Sequence, residues 1–277
     1  MHPVNELQVE NVAAAFNSVA PDFEQTLEND ITRAFRSKVY ETVRSLVPAG
    51  ARILDINCGI GIDAIALAQE GYQTSGVDIS PGMIKQAKER SRKSGTEGVE
   101  FILSSFDDLS MFSGRSIDLV LSNFGGVNCS SSLERCAAEV ARTLRPGGYF
   151  VAVVMPRMSL WEIVAGAARL NLSAAFRRLG GTVPARGFRS NTFAVTYYSP
   201  GSFTAFFSRW FSVRHLRGMN IFSPPPHAVR FRTRHPLLSS LLERWEPHVA
   251  ALPIFRSVGD HFMIVLQRST SESPADE

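Results

Sequence analysis

A chain of 277 residues, 44% hydrophobic and 20% charged, can bury one large α/β core plus an inserted cap, and it is too apolar to remain disordered. A net charge of +3 excludes a strongly polyanionic or polycationic protein. No run approaches the roughly 20 apolar residues that a membrane span needs.

Val9, Val12, Ala13 and Phe16, then Ile31, Phe35, Val39, Val43 and Leu46, recur at helical spacing. Residues 5–47 therefore read as helices, broken at Pro21-Asp22. A Pro48-Ala49-Gly50 turn leads into a first strand over residues 51–56. A glycine turn follows, then a helix over 62–70 stopped by Gly71 and a strand over 72–77. Ser80 as N-cap and Pro81 in the first turn open the next helix, which runs to Lys93. Strands at 99–103 and 117–122, a helix at 133–144, an Arg145-Pro146-Gly147-Gly148 turn and a strand at 149–155 continue the alternation. Near-continuous apolar strands separated by helices predict parallel pairing through right-handed crossovers, so residues 51–155 read as a doubly wound α/β sheet.

The pattern then loosens. A helix is expected over 157–179, a polar loop over 180–190 and a strand over 192–198. Residues 201–211 carry Phe203, Phe206, Phe207, Trp210 and Phe211, read as a core helix ahead of an aromatic substrate wall. Pro224-Pro225-Pro226 is a stiff spacer, residues 237–245 a helix and 261–267 a last apolar strand. The polar tail 269–277 is expected to be disordered. The division is thus a helical lid (1–50), a core (51–155), a cap (156–258), a final strand (259–268) and a tail.

Charge follows that division. Residues 1–150 hold 14 Lys/Arg and 19 Asp/Glu, whereas 151–277 hold 15 Arg, no Lys and 7 Asp/Glu. The basic half reads as a solvated surface, or as a face toward an anionic substrate, a lipid surface or RNA. The absence of a dense basic run or a known RNA-binding module argues against nucleic acid. Cys58, Cys129 and Cys136 lack metal-ligand spacing and read as reduced packing residues, with no metal expected. The first residues show no basic or apolar signal region, which predicts a cytoplasmic protein.

Gly59 and Gly61 let a ligand approach the backbone where a helix opens. Gly59-x-Gly61-x-x-Ala64, with Asp78 19 residues after Gly59, also satisfies a dinucleotide fingerprint, so an NAD(P)-dependent oxidoreductase stays open on this turn alone.

Five blocks in order are more specific. Ile53-Leu54-Asp55-Ile56-Asn57-Cys58-Gly59-Ile60-Gly61 resembles motif I of class I S-adenosyl-L-methionine (SAM)-dependent methyltransferases. Residues 76–83 (Gly-Val-Asp-Ile-Ser-Pro-Gly-Met), 105–109 (Ser-Phe-Asp-Asp-Leu), 117–124 (Ile-Asp-Leu-Val-Leu-Ser-Asn-Phe) and 144–148 (Leu-Arg-Pro-Gly-Gly) resemble that family's later motifs. Phe16 to Phe23 resembles the entry helix of its small-molecule, quinone-biosynthesis-like subgroup.

The resemblance implies a seven-stranded, mostly parallel Rossmann-like sheet, SAM as cofactor and a small-molecule acceptor methylated by preference on oxygen. Its site residues map onto Asp55, Asn57, Cys58, Gly59 and Gly61 around the methionine part, with Asp55 orienting the turn, meeting the ammonium or capping. Asp78 is implied as the ribose acceptor, Ile79 and Met83 as apolar cover for adenine, and Asp107 (with Asp108 as competitor) as acceptor from the adenine amino group. Phe106 would offer a backbone N–H. Asn123 and Phe124 would lie near the transferring methyl, Phe124 reading equally as core. The family usually has glycine where Asn57 stands, and asparagine tolerates a left-handed backbone, so the turn is expected to persist. Arginine with aromatics in the cap (Trp161, Phe176, Arg177, Arg178, Arg186, Arg189) suggests an anionic or amphipathic acceptor. The search set for a general base is His215, His227, His235, His248 and His261, of which His261 adjoins Asp260; the catalytic residue stays unassigned. A homodimer and a non-catalytic SAM-fold binding protein stay open.

Overall fold

The computed structural model describes residues 6–185, 192–226 and 228–270. Helix α1 (Glu6–Val19) passes through a 3-10 turn at Ala20–Asp22 into α2 (Phe23–Leu27) and α3 (Asp30–Leu46). The break expected at Pro21-Asp22 lies further on. Pro21 sits in the first positions of the 3-10 turn, where a missing N–H costs nothing, and the chain turns at Glu28-Asn29. There Asn29 caps α3, accepting from the Ile31 and Thr32 N–H groups, while Thr32 Oγ1 accepts from Asn29 N–H.

The core alternates β1 (Arg52–Asp55), α4 (Ile62–Gln69), β2 (Gln73–Asp78), α5 (Pro81–Lys93), β3 (Glu100–Leu103), β4 (Ile117–Ser122), α6 (Leu133–Thr143) and β5 (Leu144–Val154). Then come α7 (Leu160–Ala168), α8 (Leu172–Ala175), a hairpin of β6 (Thr182–Pro184) and β7 (Ala194–Thr196), α9 (Pro200–Phe207), β8 (Phe211–Met219), α10 (Val229–Arg234), α11 (Pro236–Val249) and β9 (His261–Arg268). Seven strands form one sheet in the order β3-β2-β1-β4-β5-β9-β8. The pairs from β3 through β5 are parallel, and β9 is antiparallel to both β5 and β8. This is the seven-stranded doubly wound fold expected.

Alternate strand residues serve opposite faces. Leu54, Val120, Phe150 and Ile264 pack under α6 and α9, whereas Ile53, Leu119, Val151 and Val265 pack under Phe35, Val39 and Val43 of α3. Each such side chain contributes about 1.5–3 kcal/mol of gross burial.

Several boundaries differ from expectation. β5 starts at Leu144, which pairs with Ile117, while Tyr149 pairs with Leu119. The Arg145-Pro146-Gly147-Gly148 turn is therefore absorbed as an irregularity within the strand. Part of the loop expected over 180–190 is the β6–β7 hairpin, and the helix expected over 157–179 is interrupted at Leu170, which has φ of +53°. α10 was not anticipated. Nor was β8, which falls inside the expected cap yet forms the edge of the main sheet: Ser212, Val213, Arg214 and His215 are exposed there, so no apolar run marks it.

Candidate active site

The carboxyl ends of β1, β2 and β4 open into a cavity of about 710 Å³. This is where ligands bind in open α/β sheets. Val9, Val12 and Phe16 of α1 line one side of the cavity, and Gln8 ties α1 to the β6–β7 hairpin: its Nε2 donates to Ala194 O at 2.8 Å and its Oε1 accepts from Ala194 N–H at 3.0 Å. The entry helix also grips α5, because Asn17 Oδ1 accepts from Gly82 N–H at 2.8 Å. A Cβ at Gly82 would come within 2.6 Å of that oxygen, so glycine is needed for the close approach.

The glycine turn works by two different means. Gly59 has φ of +52°, and a Cβ there would meet nothing within 4 Å, so its backbone faces open cavity. Gly61 has φ of +79°, but a Cβ there would strike the Phe101 ring at 2.8 Å. Gly61 closes the turn onto β3 and does not line the cavity. Asn57 is not in the left-handed region, contrary to expectation. Its side chain lies instead against Gly126, where a Cβ would come within 2.2 Å of Asn57 Cγ. Asn57 Nδ2 donates to Asn123 O at 2.9 Å, tying the β1 turn to the end of β4. Residue 57 thus tolerates a side chain because residue 126 has none.

Asp55 lies behind the turn and does not line the cavity. Its Oδ1 is 3.3 Å from Asn57 N–H and its Oδ2 is buried without a partner. Burial, then the nearby Asp63, pushes its carboxyl well above the usual range. Cys58 spends its N–H on Val77 O, and burial raises its thiol pKa.

Asp78, Ile79, Met83, Phe106 and Asp107 all line the cavity. Asp78 Oδ2 accepts from Gly59 N–H and Oδ1 from Ser80 N–H, each at 2.9 Å. A carboxylate offers about four acceptor positions, so the group keeps acceptor capacity beyond these bonds. Burial raises the Asp78 pKa against these bonds. Asp107 Oδ2 accepts from Ser131 Oγ at 3.3 Å, Oδ1 is buried without a partner, and burial raises its pKa to about 6. Asp108 is exposed and off the cavity wall, its Oδ1 accepting from Ser110 N–H.

At the end of β4, Asn123 Nδ2 donates to Asp63 Oδ2 at 3.0 Å. Asp63 Oδ1 also meets Tyr40 Oη and Arg36 Nη1, each at 2.5 Å, and Arg36 Nη2 pairs with Glu28 at 2.9 Å. Burial opposes the Arg36 charge, yet Asp63 and Glu28 outweigh it and hold the guanidinium above its usual pKa. Arg36 caps Phe124 at 4.6 Å, and Phe35 stacks on that ring at 4.7 Å. The cation over Phe124 is therefore Arg36. Phe124 has φ of +50°, a strained value for a non-glycine residue held by this packing.

His261 alone of the described histidines reaches the cavity. Its ring packs edge-on against Phe35 and Phe124. Nδ1 lies 3.0 Å from Asp260 Oδ2, within ion-pair reach though off a straight hydrogen-bond line. Arg178 clamps Asp260 through Oδ1 and the backbone oxygen, both at 2.8 Å, and also bonds Glu162. Arg177 bonds Glu162 and Tyr197 Oη. Both arginines line the cavity with their charge already matched. Phe203 and Phe207 are fully buried core, Phe176 is exposed and Trp161 packs on Phe231, so none of these forms a cavity wall. Arg186, Arg189 and His227 lie outside the described residues.

Arg36, Asp63 and Tyr40 escaped the sequence reading. They sit at helical spacing among apolar residues, and only the fold brings α3 against α4. Asp63, two residues after Gly61, was the one local hint.

A sheet in this order, a glycine turn against open space and carboxylates at the ends of β2 and β3 define a nucleoside-binding Rossmann-like site. The spare acceptors of Asp78, the unpartnered Asp107 Oδ1 and the open face of Gly59 fit SAM. Residues 48–165 match the family profile described as "Methyltransferase domain", and this segment is a class I SAM-dependent methyltransferase domain. Over 143 residues the chain is 33% identical to a demethylmenaquinone methyltransferase of Clavibacter sepedonicus, covering 50% of this chain and 56% of that protein. Over 165 residues it is 31% identical to a phthiotriol/phenolphthiotriol dimycocerosates methyltransferase of Mycobacterium leprae, covering 58% of each. The chain thus spans little more than half the length of these relatives. A SAM-dependent methyltransferase from Methanosarcina mazei shares the fold, with a TM-score of 0.58 and 20% identity over 84% of this chain and 99% of that one. Among the described residues no helix is long and apolar enough to cross a membrane.

Proposed function

We propose that the protein transfers a methyl group from SAM to a hydroxyl of a small amphipathic acceptor, with His261 as general base. The carrying observation is the single cavity that joins two sets of groups. Asp78 and Asp107 lie toward the ends of β2 and β3, and the Asp260–His261 pair lies at the start of β9.

Asp78 would hold the ribose hydroxyls through its spare lone pairs, and Asp107 Oδ1 would accept from the adenine amino group. Ile79 and Met83 give apolar cover. Asn57 Oδ1, buried without a partner at the cavity wall, offers an acceptor near the amino-acid tail. When bound, SAM supplies a methyl on a sulfonium, electrophilic without further activation. The protein's part is alignment and proton removal. With Nδ1–H toward Asp260, His261 Nε2 is the basic nitrogen and would take the acceptor hydroxyl's proton as its oxygen attacks. Arg178 fixes Asp260, and edge-on packing by Phe35 and Phe124 holds the imidazole beside it. The arginines Arg177 and Arg178 are internally matched, so the acceptor need not be an anion. The names of the relatives, a menaquinone and a dimycocerosate methyltransferase, agree with a large apolar acceptor.

The test pairs calorimetry with SAM and with NAD, then transfer of labelled methyl to hydroxylated aromatic and long-chain phenolic acceptors. His261→Gln should leave the SAM affinity unchanged and lower kcat about 10²–10⁴-fold. Binding of NAD in place of SAM would overturn the reading. Full activity of His261→Gln would remove the base.

A further inference from the structure

Helix α11 carries its polar residues inward and its apolar residues outward. Its buried residues are Ser239 and Glu246. Glu246 accepts from the N–H groups of Asn220, Ile221 and Ser223 and from Ser223 Oγ at 2.6–3.0 Å, and it pairs with Lys38 at 3.4 Å. That buried hub fixes which side faces the protein. The other side then presents Leu237, Leu241 and Trp245, which are 87%, 52% and 62% exposed, and Ile254 beyond the helix is 74% exposed.

Monomeric surfaces rarely leave so many large apolar residues side by side, and such a face marks an interaction site. The charge around it selects the partner. Arg230 and Arg234 of α10 and Arg244 of α11 are exposed with no carboxylate partner among the described residues, while Glu243 is matched by Arg232 at 3.0 Å and Glu246 by the hub. Residues 156–258 hold 14 Arg and 3 Glu in all. A second copy would oppose arginine with arginine. Outward leucine and tryptophan ringed by unmatched arginine is instead the pattern of a helix lying on an anionic lipid surface.

We propose that α10, α11 and the turn after them dock on an anionic bilayer. Pro226 and Val229, at the amino end of α10, line the active-site cavity, so the docking face adjoins its rim. An amphipathic acceptor dissolved in the bilayer would reach His261 without crossing water. This route rests on the methyl-transfer reading; the docking face does not.

The test is flotation of the full chain with vesicles of phosphatidylcholine alone, or with about one third phosphatidylglycerol. Binding is expected only to the anionic vesicles and should be lost at high salt. Arg230→Gln, Arg234→Gln and Arg244→Gln should each weaken it about fivefold. The triple variant Leu237→Ser/Leu241→Ser/Trp245→Ser should weaken it about 100-fold with unchanged melting temperature and SAM affinity. No flotation at low salt, equal flotation of the triple variant, or a solution dimer that the triple variant dissolves would each overturn the proposal. Flotation of a protein that gives no SAM signal in calorimetry would support the docking face and sink only the methyl-transfer reading.

Discussion

Asp107, the proposed adenine acceptor, should set stability against cofactor affinity. Burial raises its carboxyl from the ordinary value of 3.8 to about 6, and Oδ1 has no partner to offset the burial. A raised native pKa means the folded state holds the proton longer than the unfolded state. This group's contribution is therefore favourable below about pH 4 and is lost as pH rises through about 6. A shift of two units corresponds to about 3 kcal/mol of destabilisation at neutral pH. Asp107→Asn removes that charge, so it should stabilise the free protein at pH 7 by up to about 3 kcal/mol, or roughly 5–10 °C in Tm for a chain of this size. The same change should weaken SAM binding about 10- to 100-fold, the worth of one charge-assisted hydrogen bond. In the unchanged protein, SAM affinity should fall as pH drops through about 6 and level off at a loss similar to that of Asp107→Asn, because a protonated carboxyl accepts more weakly than an ionised one. Urea unfolding of both proteins across about pH 4 to 7.5, with calorimetry on the same samples, measures all three effects. A stability difference that does not change with pH would refute the reasoning.

Asp78→Ala removes the proposed ribose acceptors and the bonds from the Gly59 and Ser80 N–H groups, so SAM binding should weaken by about 10² or more, read by calorimetry on protein shown to be folded by its melt. Arg36→Met leaves Glu28 and Asp63 buried without their cation and should cost about 3–5 kcal/mol in urea unfolding, the variant's Phe124 losing its cover. Asn57→Gly should destabilise by about 1–2 kcal/mol, because it deletes the bond to Asn123 and opens a space beside Gly126. Stabilisation of that variant would mean that Asn57 is a strained substitute for glycine after all.

Much of the core was legible because local chemistry and tertiary role coincide there. Ser80-Pro81 capped α5 where expected, since an N-cap and a first-turn proline act within four residues. β4 ran from Ile117 to Ser122 because nearly all of it is buried and Ile117, Leu119, Val120 and Leu121 make a mostly apolar run. β8 gave no such signal: an edge strand shows its polar residues to solvent and reads as a loop. The aromatic cluster at Phe203–Phe207 could be weighed as wall or core from composition. Its place under Phe150 was decided by the packing of α9 on the sheet.

The candidate site divides in the same way. Asp78, Asp107 and Gly59 lie in short contiguous motifs, each at the end of a strand, so their order along the chain already located them relative to the sheet. Asn57 beside Gly126, Arg36 beside Asp63 and Arg178 beside Asp260 are pairs from distant segments. No local pattern records that one member compensates the other. From the sequence alone came a doubly wound sheet with a nucleoside turn, because periodicity and turn chemistry are local. Only the tertiary structure decided which buried charges meet, which histidine faces the cavity and which side of α11 is left bare, because those depend on contacts between residues far apart in the chain.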